Sequence, residues 1–216
     1  MRIHSVMKRQ RTSIIRSRKA SIQSLGRTYI GGLPTVTGAT QKWKGDLDMA
    51  GRLNPYCLVG YDPGLTIGVA CLGTDQLRTF STKTFEQAIR VEADFYGVED
   101  FTPYRSKHFR ISGDGIVTVK QIGVIEYVKP NVHLMWRSTI CAMITGASNA
   151  PKKIVHQAVM SLLMGLGISQ KPTGHELDAI ACILTLGTTI VRNGGTIGVT
   201  DRWLNLFQSL AAKKKS

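Results

Sequence analysis

Leu58-Val59-Gly60-Tyr61-Asp62-Pro63-Gly64-Leu65-Thr66-Ile67-Gly68-Val69-Ala70-Cys71-Leu72 reads as two apolar strands joined by a turn. Leu58 to Tyr61 and Ile67 to Leu72 carry the strand signal, and Pro63-Gly64 punctuates between them. Asp62 therefore stands where the first strand ends and the chain doubles back. Two uses of an acid at that point stay open. Asp before Pro and Gly readily hydrogen-bonds its own turn; a carboxylate on a rigid strand end, with small residues beside it, also suits a metal ion or a phosphate group.

Downstream the same hairpin gains a partner. Residues 76 to 84 alternate loosely and predict a third antiparallel strand, followed by a short helical segment over Phe85 to Arg90. Ala93 to Phe101 is an aromatic and apolar strand that ends in Glu99, a second strand-end acid. The next stretch interleaves Phe101, Tyr104 and Phe109 with Arg105, Lys107 and Arg110, a composition suited to stacking on bases and pairing with phosphates, as well as to an ordinary polar loop.

From Gly115 to Lys129, the residues Ile116, Val119, Ile122, Gly123, Ile125 and Tyr127 recur at near-helical spacing and predict an amphipathic helix stopped by Pro130. Val132 to Trp136 predicts a short strand, on which His133 reads as a packed histidine. The small residues Thr145 to Ala150 lead to Pro151, which opens a helix bearing Lys152 and Lys153 at its start. That start suits a backbone phosphate and a solvated basic turn equally. Its stripe of Ile154, Val155, Ala158, Val159, Leu162 and Leu163 reads as core.

A last long helix begins at Gly174-His175-Glu176-Leu177-Asp178 and is apolar from Ala179 onward. His175 and Asp178 lie three apart and share one face; a capping pair explains them equally well in isolation. Trp203, Leu204, Phe207, Leu210 and Ala211 predict a short amphipathic helix before the terminal lysines, packing on the domain or on a partner.

Composition bounds the partners. The 216 residues carry a formal net charge of +14, which favours a polyanion such as nucleic acid or an anionic membrane surface. Ten of the 28 Lys and Arg precede Asp46 and three more are Lys213 to Lys215, so the rest nearly balance the 14 acids. Residues 1 to 55, rich in Arg, Ser, Gly and Thr, read as a largely flexible extension, serving either as a phosphate-tracking arm or as a targeting leader. The expected organisation is that extension, a catalytic-sized domain over 56–200, and a C-terminal helix with a lysine tail over 201–216. Cys57, Cys71, Cys141 and Cys182 lie in apolar surroundings without paired spacing, against a zinc site or a disulfide framework. No apolar run suggests a membrane span, and the chain reads as soluble.

The Asp-Pro-Gly hairpin, the Val-Glu strand end, the Thr-Gly-x-x-x-Ala-x-Lys helix entry at Thr145 to Lys152, and His175-x-x-Asp178-Ala179 together resemble the RuvC family of Holliday-junction resolvases. The resemblance spans about residues 56 to 190. It implies an RNase H-like α/β fold, a mixed five-stranded sheet flanked by helices. It further implies a metal-dependent endonuclease acting in DNA recombination and repair, which resolves four-way junctions by paired nicking and leaves 5′-phosphates.

On that resemblance Asp62, Glu99 and Asp178 match the family's acids, and His175 falls where some members have Asp and others His. All four are expected as catalytic and metal-binding residues. Two Mg²⁺ ions, with Mn²⁺ as a substitute, are the expected cofactors, since hard cations prefer carboxylate oxygens and assist phosphodiester hydrolysis. Phe101, Tyr104, Arg105, Lys107, Arg110, Lys152 and Lys153 are the expected DNA contacts. A homodimer on branched DNA follows, joined through the helix of Ile116 to Tyr127. The expected location is cytoplasmic or nucleoid-associated, or an organellar matrix if the leader is a transit peptide. Two alternatives remain: an actin-like or sugar-kinase-type ATPase, whose second Asp-x-Gly hairpin is not found, and a non-catalytic nucleic-acid-binding protein.

Overall fold

The structure is a computed structural model that describes residues 56–101 and 113–213. Among the described residues five strands are present: β1 (Tyr56–Asp62), β2 (Ile67–Leu72), β3 (Leu77–Thr82), β4 (Ala93–Asp100) and β5 (Val132–Trp136). The helices are α1 (Phe85–Ile89), α2 (Gly113–Val128), α3 (Arg137–Thr145), α4 (Lys152–Gly165), α5 (Gly174–Arg192) and α6 (Asp201–Ala212). The sheet runs β3-β2-β1-β4-β5, antiparallel across the first three strands and parallel from β1 through β4 to β5. The mixed five-stranded sheet flanked by helices is thus the observed architecture, with β1 at its centre.

Strand pleating sorts the residues of β1 to two faces. Val59 and Tyr61 join Val69, Tyr96, Val98, Ala88, Ile122 and Ile125 in the core beneath α1 and α2. Leu58 joins Ala70, Leu72, Met135 and the buried faces of α3 to α6 in the larger core. Asp62 follows Leu58 and Gly60 on that second face, and Glu99 follows Phe95 and Gly97, so the strand alternation directs both acids toward α5.

Glycines let α5 lie against the sheet. A Cβ at Gly60 would come within 2.1 Å of the Ala179 carbonyl oxygen, and one at Gly68 within 2.0 Å of the His175 carbonyl oxygen. Both obstacles are helix backbone, which cannot rotate aside. Gly60→Ala is therefore expected to cost at least about 3 kcal/mol, the upper range for overpacking, in urea unfolding. A loss under about 1 kcal/mol would show that the helix does not depend on this close approach.

Thr173 caps α5, accepting from Glu176 N at 3.4 Å while the Glu176 carboxylate takes Thr173 N at 3.2 Å. The same carboxylate accepts from Thr79 and Ser81 of β3. Capping thus falls to Thr173 and Glu176 instead of His175 and Asp178, which are left to face the strand ends.

Several expectations change in detail. At 19 residues, with a window of mean hydropathy 1.2, α5 is long and apolar enough to span a membrane by length and composition, contrary to the sequence expectation. Its window is 67% buried inside the domain, however, beneath β1, β2 and β4. The helix following β5 directly, α3, is an element the sequence reading lacked. His133 is exposed on β5, with its ring 6.4 Å from that of Phe95, instead of packed inside. On α2, Ile122 and Ile125 are buried, whereas Ile116, Val119 and Tyr127 are exposed, so the expected single stripe divides between two faces.

Helix α6 packs on the domain itself. Trp203, Phe207 and Leu210 are buried, and Phe207 lies over Gly187 of α5. Asp75, in the turn between β2 and β3, accepts from Thr200 at 2.6 Å and from Arg202 at 2.7 Å. None of the four cysteines is in a disulfide, and all are buried.

Candidate active site

One rim of the sheet collects the singled-out acids. Asp62 ends β1, Glu99 lies one residue from the end of the neighbouring parallel strand β4, and Asp178 stands one turn into α5 across them. Cys182, about one turn beyond Asp178 on α5, is a fully buried thiol that donates to the Tyr61 carbonyl at 3.6 Å. Burial first, and then the charges of Glu99, Asp62 and Asp178 together, push this thiol well above its ordinary range.

Each acid has a distinct environment. Asp62 Oδ2 lies 2.8 Å from His175 Nδ1. Burial raises its pKa, the His175 hydrogen bond opposes the rise, and the Asp178 charge adds to it. Glu99 is pushed up to about 6, by burial first and then by the charges of Asp62 and Asp178, against the opposing charge of Arg137. The Arg137 guanidinium reaches Glu99 Oε2 at 3.3 Å and Asp178 Oδ1 at 3.1 Å.

Asp178 is the most enclosed of the three, with a side chain 2% exposed. Lys152 Nζ lies 2.6 Å from its Oδ2, and His156 Nε2 lies 2.9 Å from its Oδ1. Burial works against its charged form, but the hydrogen bonds from Lys152, His156 and Arg137 and the Lys152 charge outweigh it and hold the carboxyl below its ordinary range.

By donor chemistry the site fits a hard divalent cation. Asp62 is raised by burial and by the Asp178 charge, and Glu99 by burial and by the charges of Asp62 and Asp178, the condition a cation relieves, and both stand at a solvent-facing rim beside an imidazole. Among the described residues, however, no three His, Cys, Asp or Glu side chains are drawn together as a ligating cluster. Asp178 is turned to Arg137, Lys152 and His156, and Asp62 to His175.

The raised Glu99 has a thermodynamic consequence. Its folded pKa, about 6, exceeds the ordinary 4.5, so the stability it contributes is full below pH 4.5 and is lost as pH rises through 6. At 1.36 kcal/mol per unit, that loss is at most about 2 kcal/mol. Glu99→Gln is expected to stabilise the protein at pH 8 by up to that amount in urea unfolding, with the gain vanishing near pH 4.5. A variant less stable than wild type at pH 8 would contradict this account.

The expected nucleic-acid contacts divide. Phe101 is exposed just beyond β4, whereas Tyr104, Arg105, Lys107 and Arg110 lie outside the described residues. Lys153 is exposed beside Lys152, on an open groove that continues along α4 past His156 to Met160 and Met164. Arg137 and His156 were missed in the sequence. Arg137 follows β5, whose Met135 pairs with Glu99, so a strand-end base beside a strand-end acid was the available signal. His156 lay within an apolar stripe, one turn after Lys152, and nothing in the pattern marked it.

No family model and no curated relative matches the chain. Among solved structures, a Thermus thermophilus RuvC structure is 22% identical with a TM-score of 0.44, covering 63% of this chain and 96% of that one. A second, T. thermophilus RuvC in complex with a Holliday junction substrate, is 20% identical with a TM-score of 0.44, covering 66% and 98%.

Proposed function

We propose that this chain is a RuvC-type, metal-dependent, structure-specific DNA endonuclease that resolves four-way junctions by paired nicking. The observation that carries the reading is that the adjacent parallel strands β1 and β4 end at or within one residue of Asp62 and Glu99, on the face covered by α5, where Arg137 reaches both Glu99 and Asp178. Capping of α5 does not account for His175 and Asp178, because Thr173 and Glu176 already fulfil it.

Asp62, Glu99, His175 and Asp178 would hold Mg²⁺, with Mn²⁺ as a substitute. When bound there, two such ions supply a hydrolytic nucleophile at neutral pH and offset charge on the leaving oxygen. The protein's own groups do the rest. Arg137 and Lys152 place positive charge around Asp178, where a scissile phosphate would need it, and Arg137 offers a planar fork matched to phosphate oxygens. His175, 47% exposed and fixed against Asp62, is placed to orient an attacking water. Lys153 and Phe101 extend contact to the flanking strand.

Self-association through α2 belongs to the same reading. Ile116, Val119 and Tyr127 recur along one exposed face, with Gly123 between them allowing close approach, and Leu134 and Trp136 of β5 are also exposed. A homodimer built on this surface presents two sites to one branched DNA. Tyr127→Asp is expected to shift the sedimentation coefficient to that of the 23.7 kDa monomer; an unchanged value would remove α2 from the interface.

The test is incubation with a mobile four-way junction, a matched duplex and a flap, each with Mg²⁺ or with EDTA. Mg²⁺-dependent cleavage confined to the junction is expected. Equal cleavage of all three would mean a general branched-DNA or duplex nuclease, and no Mg²⁺-dependent cleavage would end the enzyme reading.

A further inference from the structure

Between Asp62 and β2 the chain turns through Pro63 to Thr66, and among the described residues these four make no backbone-to-backbone hydrogen bond outside the strand ladder that closes at Asp62 and Gly68. Pro63 has no N–H to give, so Gly64 carries the first amide after Asp62. Both polar groups of Gly64 go to one side chain. Its N–H donates to Gln121 Oε1 at 2.9 Å, and its carbonyl accepts from Gln121 Nε2 at 3.2 Å. The Gln121 amide therefore pairs with the turn as a neighbouring strand would, 57 residues away in sequence.

Gln121 stands in the middle of α2. Its neighbour Ile122 is buried against the core that includes Tyr61, whereas Val119 and Val124 are exposed with the apolar face described above. One helix thus carries both the grip on the Asp-Pro-Gly turn and the surface assigned to self-association. Gly64, two residues from Asp62, is thus held to α2 by two hydrogen bonds.

We infer that Gln121 is a positioning residue that sets the stance of Asp62 and couples it to occupancy of the apolar face of α2. The inference rests on the nuclease reading of Asp62 and on α2 as the self-association face. Gln121 itself touches neither substrate nor the reacting atoms.

The test uses the full chain and Gln121→Met, which keeps length and bulk but loses both hydrogen bonds. Its kcat on a four-way junction is expected to fall at least tenfold, while junction Kd stays within threefold. The His175 ring resonances, which report the contact with Asp62, are expected to shift in NMR spectra. A kcat and Kd that change in proportion, or unshifted His175 resonances in a folded variant, would overturn the assignment. Because that spectrum needs no turnover, a wild type that fails to cleave refutes the nuclease reading without deciding the positioning role.

The coupling has its own measurement. Tyr127→Asp is expected to move the His175 resonances in the wild-type background and to add nothing in Gln121→Met, a non-additive cycle. Additive shifts, or none in either background, would overturn the link to α2.

Discussion

Asp62→Asn is expected to lower Mg²⁺-dependent junction cleavage by at least about a thousandfold, while junction affinity and thermal stability stay near wild type. The size follows from its role. A carboxylate holding a divalent cation supports several kcal/mol of charge stabilisation in the transition state, and about 4 kcal/mol corresponds to three powers of ten. Stability is spared because Asn keeps an oxygen and a nitrogen near His175, 2.8 Å from the native carboxylate. Initial cleavage rates on labelled junctions, beside a binding titration in Ca²⁺, separate the two effects. Activity within tenfold of wild type would remove Asp62 from the chemistry, and a matching loss of affinity would make it a binding residue.

The second large effect concerns Asp178 and bears on folding as well as on activity. This carboxylate is enclosed and faces Arg137, Lys152 and His156. Losing this carboxylate costs its charge-assisted hydrogen bonds, about 1.5–3 kcal/mol, and no more because the Lys152 side chain is already 55% exposed. Asp178→Ala is expected to reach that range in urea unfolding at pH 7. Adding Lys152→Met to it should recover part of the loss, since one of the stranded cations is then gone. A loss below about 1 kcal/mol for the single variant would mean that the basic groups find solvent without Asp178.

The two substitutions probe opposite sides of one arrangement. Asp62 and Glu99 are raised by burial and repulsion, and so stand ready for added positive charge. Asp178 already has it, from side chains that also face a DNA strand in the proposed complex. In the proposed complex Arg137 and Lys152 would turn from Asp178 toward a substrate phosphate, leaving Asp178 to join Asp62 and Glu99 in holding a cation.

Much of this was legible in the sequence because strands and caps leave local marks. The hairpin around Asp62, the strand carrying Glu99 and the helix carrying His175 and Asp178 were bounded by Pro, Gly and a change of period, and each lies within a residue or two of its expected limits. What brought the acids together was less visible. Close packing of α5 on Gly60 and Gly68 is a tertiary fact, and a glycine in an apolar run does not say which backbone approaches it. Arg137 escaped notice because α3 begins immediately after β5, with no turn residues to announce a helix. The division of α2 into a buried and an exposed apolar face was hidden for a related reason: apolar residues on both faces give a mixed period that one-dimensional patterning cannot assign.

The central claim is paired, junction-specific hydrolysis at this rim, and the most direct measurement is the fate of the cut strands. A four-way junction, end-labelled in turn on each strand, is cleaved in Mg²⁺ and the products are treated with DNA ligase alone. The expected result is nicks at symmetric positions in two opposed strands, sealed by ligase without prior end repair. Nicks scattered over all four strands, or ends that ligase cannot join, would contradict the account.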